Sequence, residues 1–80
     1  MPRDWVQSNA YRAAIHVVAE ARQAAGITQR ELGRRLGKPT SFVNKIEQIE
    51  RRLDVVELIE IARCLNLEPE DLLRQISKVV

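Results

Sequence analysis

Apolar residues recur along this chain at spacings of three and four, the period of one helix face, and no clean two-residue alternation interrupts them. The first run takes Ala14, Val18, Ala21 and Ala25 as its stripe; it is expected to start at Ser8 or Asn9, either of which can cap, and to stop before Gly26. Thr28 and Glu31 have the spacing of a capping box ahead of Leu32 and Leu36, and Gly37 suits the left-handed stop. Pro39 presets φ for a third helix that carries Phe42, Val43, Ile46 and Ile49. Asp54 and Glu57 repeat the box and open a fourth run. Its stripe is Val55, Leu58, Ala62 and Leu65, widened by Val56, Ile59 and Ile61, and Asn66 suits a left-handed cap. Glu68-Pro69-Glu70-Asp71 sets proline and acids at the positive end of a last helix, expected to run through Leu72, Leu73 and Ile76 toward Val80. With no hairpin dipeptide, the pattern predicts an all-α domain of five short helices over 12–80, behind an N-terminal arm of residues 1–11.

Two details of the middle go beyond fold class. About three residues join the second and third helices, so the pair must cross steeply. A glycine inside a helix costs about 1 kcal/mol against alanine, so Gly33 predicts a close approach there. On the third helix the apolar positions leave Thr40, Ser41, Asn44, Lys45 and Gln48 on one outward face. That face holds hydrogen-bonding groups and one ammonium instead of the Glu/Lys mixture of a solvated helix. It is read as a contact surface.

Charge sharpens that reading. The net charge of +2 hides an uneven distribution: residues 22–52 carry eight basic groups against three acids, for +5, while residues 53–80 carry three against six, for −3. The basic middle is suited to meeting phosphates. One histidine and one cysteine, His16 and Cys64, assemble neither a metal site nor a nucleophile–base pair, so the sequence argues against an enzyme and implies no cofactor. His16 is read as a surface residue, and Cys64 as a small core residue inside an apolar stripe. A single cysteine fits a reducing compartment. The chain has no run of about 18–20 apolar residues, and its start lacks the apolar core of a secretory signal. It is read as cytoplasmic and not membrane-bound.

The stretch ITQRELGRRLGKPTSFVNKIE resembles the helix-turn-helix of phage-repressor-type (Cro/repressor, XRE-like) DNA-binding proteins. The motif places Gln29 first, Leu32 fourth, Gly33 fifth, Leu36 eighth, Gly37 ninth, Val43 fifteenth and Ile46 eighteenth. The likeness runs back through EARQAAGITQ and on to IARCLNLEPEDLL, over about residues 12–74. It implies five helices, with the third in the major groove of double-stranded DNA. Position by position it assigns groove-facing roles to Thr40, Ser41, Asn44, Lys45 and Gln48, and phosphate anchoring to Gln29 and the start of the second helix. Asn and Gln match adenine N6/N7, and Lys can reach guanine O6/N7. Arg30, Arg34, Lys38, Arg51 and Arg52 are expected at phosphates.

Two positions depart from the family pattern. Lys38 replaces a usual aliphatic residue, and Ile49 stands near where glycine usually ends the third helix in the left-handed region. A β-branched residue resists positive φ. The expectation is therefore that the helix continues or the loop is rebuilt, with Ile49 packed on Leu53 or the fourth helix and Ile49→Gly destabilising. Arg22 is expected to anchor structure through an acid, and Glu47 to brace the motif. Leu73, Ile76, Val79 and Val80 continue an apolar stripe and are expected to form a homodimer contact; Trp5 and Val6 compete for that surface. The resulting expectation is a transcriptional regulator, specifically a repressor, on a palindromic operator. Two rivals stand: an antitoxin-type autoregulator, and a protein-interaction module on the same fold.

Overall fold

A computed structural model describes residues 8–80. Trp5, Val6 and most of the expected arm lie outside the described residues. Helix α1 spans Asn9–Ala24, so it takes in residues 9–11. Ser8 caps it, its hydroxyl accepting from Tyr11 N–H at 3.2 Å. The inward face centres on Ile15, Val18 and Arg22, with Val17 turned to a second cluster. This rotates the expected alanine stripe: Ala14 and Ala21 are half-buried and Ala25 is exposed. The reason is area, since Ile and Val remove more apolar surface from water than Ala. Gly26 turns the chain at φ 72°.

Helix α2, Gln29–Leu36, starts under Thr28, whose hydroxyl accepts from Glu31 N–H at 3.0 Å. The return half of the expected box is absent. The Glu31 carboxylate instead accepts from Arg34 at 2.6 and 2.8 Å and Arg35 at 2.9 Å, because charge-assisted bonds outweigh a bond to a neutral amide. Those guanidinium bonds, from Arg34 first, hold the Glu31 carboxyl down at about 2. Gly37 closes the helix at φ 69°.

Helix α3, Thr40–Glu47, follows directly, with Pro39 as its N-cap. Gly33 is what permits the approach: a Cβ there would lie 2.9 Å from the Lys38 carbonyl oxygen and 3.2 Å from that of Pro39. Those are backbone atoms of the turn, so even alanine would push α3 out of place.

The end of α3 corrects an expectation. Ile49 sits at φ 60° in the left-handed region, neither continuing the helix nor avoiding the strain. The chain must turn here: Glu50 N–H and Arg51 N–H both reach back to the Lys45 carbonyl, at 2.8 and 3.1 Å. The Ile49 side chain still packs against the core, and that burial offsets the backbone strain. Burial and strain can be separated by two substitutions. Both Ile49→Ala and Ile49→Gly lose the packing, but only glycine relieves the strain. The glycine variant is expected to be about 1–2 kcal/mol more stable than the alanine variant in urea unfolding, whereas in a helix interior alanine leads by about 1 kcal/mol. Alanine ahead of glycine would show that position 49 carries no strain.

Helix α4, Val55–Cys64, has both halves of its capping box: Glu57 N–H to Asp54 Oδ1 at 2.7 Å and Asp54 N–H to Glu57 Oε1 at 3.1 Å. Its buried residues are Ile61 and Ala62, with Leu65 just beyond. Val55 and Val56, expected in the stripe, are 69% and 60% exposed. They occupy the first turn, which the core leaves uncovered. Asn66 takes the left-handed turn at φ 61°. Helix α5 spans Pro69–Ser77 and stops short of Val80. Val79 and Val80 N–H both bond to the Ile76 carbonyl, at 3.0 and 3.1 Å, and end the chain in a tightened turn. Two β-branched residues at a fraying end favour neither rotamer nor backbone of a further turn.

The core of Ile15, Val18, Ile27, Leu32, Val43, Ile46, Ile61 and Leu65 ties α1 to α2, α3 and α4; Val17, Ala62 and Leu72 seat α5. The loop after α3 is pinned by Leu53 N–H donating to the Tyr11 hydroxyl at 3.0 Å.

Candidate nucleic-acid interface

Four side chains of the predicted face, Thr40, Ser41, Lys45 and Gln48, are exposed. The first two stand on the opening turn of α3, where backbone N–H groups lack helical partners and the dipole favours anions. Asn44 and Gln29 lie half-buried behind them. Val43 and Ile46, on the opposite side of the helix, are buried and fix which side faces out.

What holds α3 is a buried ion pair. Arg22 on α1 is only 9% exposed. Its Nε donates to Glu47 Oε2 at 2.7 Å, its Nη2 to Glu47 Oε1 at 2.9 Å, and its Nη1 to the Ile27 carbonyl at 2.8 Å. The expected anchoring roles of Arg22 and Glu47 are met by this one bidentate pair. Glu47 Oε1 also accepts from Gln29 Nε2 at 2.9 Å, and Gln29 Oε1 accepts from Asn44 Nδ2 at 3.3 Å. The pair thus continues through α2 to the outward face of α3.

The basic residues divide into two groups. Arg30, Lys38 and Lys45 are exposed, and none of their side chains makes a hydrogen bond or ion pair among the described residues; Arg52 is exposed as well. Arg34 and Arg35 are committed to Glu31, and Arg35 also donates to the Cys64 carbonyl at 2.7 Å, tying α2 to α4. Arg51, expected at a phosphate, is engaged within the protein. Its guanidinium donates to both Glu57 oxygens at 2.8 and 2.7 Å and to the Arg52 carbonyl at 3.0 Å, and stacks 4.5 Å from the Phe42 ring centre. The bond to Arg51 is the main reason the Glu57 carboxyl is held below its ordinary value. Lys38 Nζ lies over the same ring at 5.5 Å. The sequence reading missed this cluster and the Gln29–Asn44 bond. No periodic signal reports either, because Phe42 and Arg51 meet only through the left-handed turn at Ile49.

Elsewhere, His16 is exposed beside Glu20 at 3.5 Å, and Cys64 is half-buried against the core. No cluster of metal-ligating side chains occurs among the described residues, and none of their helices is long and apolar enough to cross a membrane. On the far side from α3, Leu73, Val79 and Val80 are exposed, whereas Ile76 packs against the core. Ile76 is therefore only partly available to a partner.

Comparison with known proteins agrees with this arrangement. A family model described as helix-turn-helix matches residues 18–72. Among solved structures, an XRE-family like protein from Pseudomonas syringae pv. tomato str. DC3000 superposes with a TM-score of 0.80. It is 48% identical in sequence, and the match covers 86% of this chain and 84% of that one. A search of curated proteins returns no match. On the motif, the fold and these two matches, the chain belongs to the XRE-like helix-turn-helix family of DNA-binding transcription regulators.

Proposed function

We propose that this protein is a sequence-specific repressor that binds a palindromic operator as a homodimer, with α3 in the major groove. The observation that carries the reading is the polar outward face of α3, rigidly seated by the Arg22–Glu47 pair and flanked by exposed Arg30, Lys38 and Lys45. Thr40, Ser41, Asn44, Lys45 and Gln48 meet base edges and adjacent backbone. Gln29, Arg30, Lys38 and Arg52 lie where phosphates pass. Arg51 serves as the brace that fixes the loop, with its donors turned to Glu57. Repression follows from occupying the operator and excluding transcription machinery.

The test is selection of bound sites from random DNA, followed by substitution. Asn44→Ala and Gln48→Ala are expected to cost about 1–3 kcal/mol on the selected site and far less on random DNA. Equal losses on both would show that these residues do not read bases.

One recognition helix covers only a few base pairs, and a two-fold partner places a second helix about 34 Å along the groove. Leu73, 57% exposed, stands beside Val55 in a groove also lined by Leu58, Ile59 and Pro69. With Val79 and Val80 exposed nearby, this apolar face supports self-association. Leu73→Lys is expected to leave the fold intact, to sediment as a monomer, and to abolish cooperation between half-sites. A variant still dimeric at micromolar concentration would place the interface elsewhere.

A further inference from the structure

The chain of bonds from Arg22 to Asn44 has a direction. A guanidinium only donates, and a carboxylate only accepts. Glu47, held by Arg22 through both oxygens, therefore demands a donor from Gln29, and the Gln29 amide nitrogen faces it at 2.9 Å. That turns the Gln29 carbonyl oxygen toward Asn44, which must answer with its own amide nitrogen, at 3.3 Å. Neither amide can flip without setting oxygen against oxygen. Arg22 and Glu47 are nearly buried, so water does not readily replace the partners at the start of the relay.

What remains outward at position 44 is the Oδ1 acceptor and the second amide hydrogen. In the major groove adenine offers an N6 donor beside an N7 acceptor, whereas guanine offers two acceptors, O6 and N7. The fixed amide fits adenine and sets its oxygen against guanine O6. An unbraced asparagine would rotate its NH2 toward guanine and lose the distinction.

We infer that Gln29 and Glu47 are positioning residues that set the base preference read by Asn44, favouring adenine over guanine through a buried donor–acceptor relay anchored on Arg22. The inference rests on the reading of α3 as the groove helix. It adds that specificity at one base pair is decided on α1 and α2 as well as on α3.

The experiment uses the full chain. Sites are first selected from random DNA with the unsubstituted protein and with Asn44→Ala, which identifies the base pair whose preference Asn44 controls. Affinities are then compared for adenine and guanine at that pair. The unsubstituted protein is expected to prefer adenine by about tenfold or more. Gln29→Met keeps the length of the side chain and removes its amide. It is expected to shrink the preference to within about threefold, to leave preferences at other positions unchanged, and to keep the melting temperature. Loss of a phosphate contact from Gln29 would weaken both sites equally, so the ratio isolates the relay. Gln29→Ala is the second variant and should give the same ratio. In an Asn44→Ala background, Gln29→Met should alter no base preference.

An undiminished adenine preference in the Gln29 variants would overturn the inference, as would a guanine preference in the unsubstituted protein or an Asn44→Ala variant that changes no preference. In those cases sequence-specific binding itself survives. Selection that enriches no sequence at all would instead overturn the DNA-reading function and the relay with it.

Discussion

Affinity for operator DNA should fall about a thousandfold between 50 and 200 mM salt. The estimate follows from which charges the protein leaves available. Of the eight basic residues in 22–52, Arg22, Arg34, Arg35 and Arg51 are paired with Glu47, Glu31 and Glu57. Arg30, Lys38 and Lys45 are exposed and make no ion pair among the described residues, while Arg52, the eighth, is exposed but already interacts within the protein and adds less. A dimer brings six such groups to the backbone, and each phosphate neutralised releases counterions, which sets a slope of about −5 in log affinity against log salt. The sequence alone, from its +5 segment, supports about 6–10 phosphate contacts per dimer and a loss of about 10³–10⁵, and the ion pairs put the value at the lower end. Titration of binding at several salt concentrations measures the slope directly. Replacing Lys38 by Ala in both protomers should make it shallower by about two. A flat response would be incompatible with binding through phosphates and would favour the protein-interaction reading.

The largest stability effect is expected at Glu47. Glu47→Ala leaves Arg22 buried without its counter-charge, a change that costs about 3–5 kcal/mol. A domain of this length has a total stability on the order of 4–12 kcal/mol, so the variant should lose about a quarter or more of it and unfold at a markedly lower urea concentration. Replacing both partners, Arg22→Met with Glu47→Leu, removes the stranded charge and should recover much of the loss. The Ile27 carbonyl, which accepts from Arg22 at 2.8 Å, remains without that donor and limits the recovery. Urea midpoints for the single and double variants test this. A Glu47→Ala cost below about 1 kcal/mol would mean that solvent reaches Arg22 and that the pair is not what holds α3. The double variant has a further use: it is expected to fold without the anchor of the relay, and its urea midpoint separates a loss of adenine preference from a loss of structure.

Much of this architecture was legible from local rules. Ser8, Thr28 and Asp54 stand at helix starts because a short side-chain oxygen can satisfy an orphan N–H. Gly26, Gly37 and Asn66 sit at positive φ, where little or no Cβ penalty arises. Gly33 announced the close approach of α2 and α3, and the spacing of Leu32, Val43 and Ile46 announced which faces turn inward. Each of these depends on residues within a turn or two of one another, so one sequence window contains the whole cause. The polar face of α3 was visible for the same reason.

Tertiary structure decided the rest. Val55 and Val56 have the period of a buried stripe but stay exposed, Val55 on the rim of a groove shared with Leu73 of α5, and periodicity cannot report how far a neighbour covers a position. Ile49 contradicts its own backbone preference because a turn required by the packing of α4 outweighs one strained residue. Phe42, Lys38, Arg51 and Glu57 gather on either side of that turn, so a guanidinium that the sequence leaves unassigned to any protein partner is braced within the protein. Residues 22, 29, 44 and 47 belong to three helices, and only their crossing makes them one hydrogen-bonded path. Sequence alone thus determined the helices, their caps and the outward polar face, because those follow from energies within a turn. Which charges stay available, and which way Asn44 presents its amide, depended on long-range geometry, because side-chain bonds form only where folding brings partners to about 3 Å.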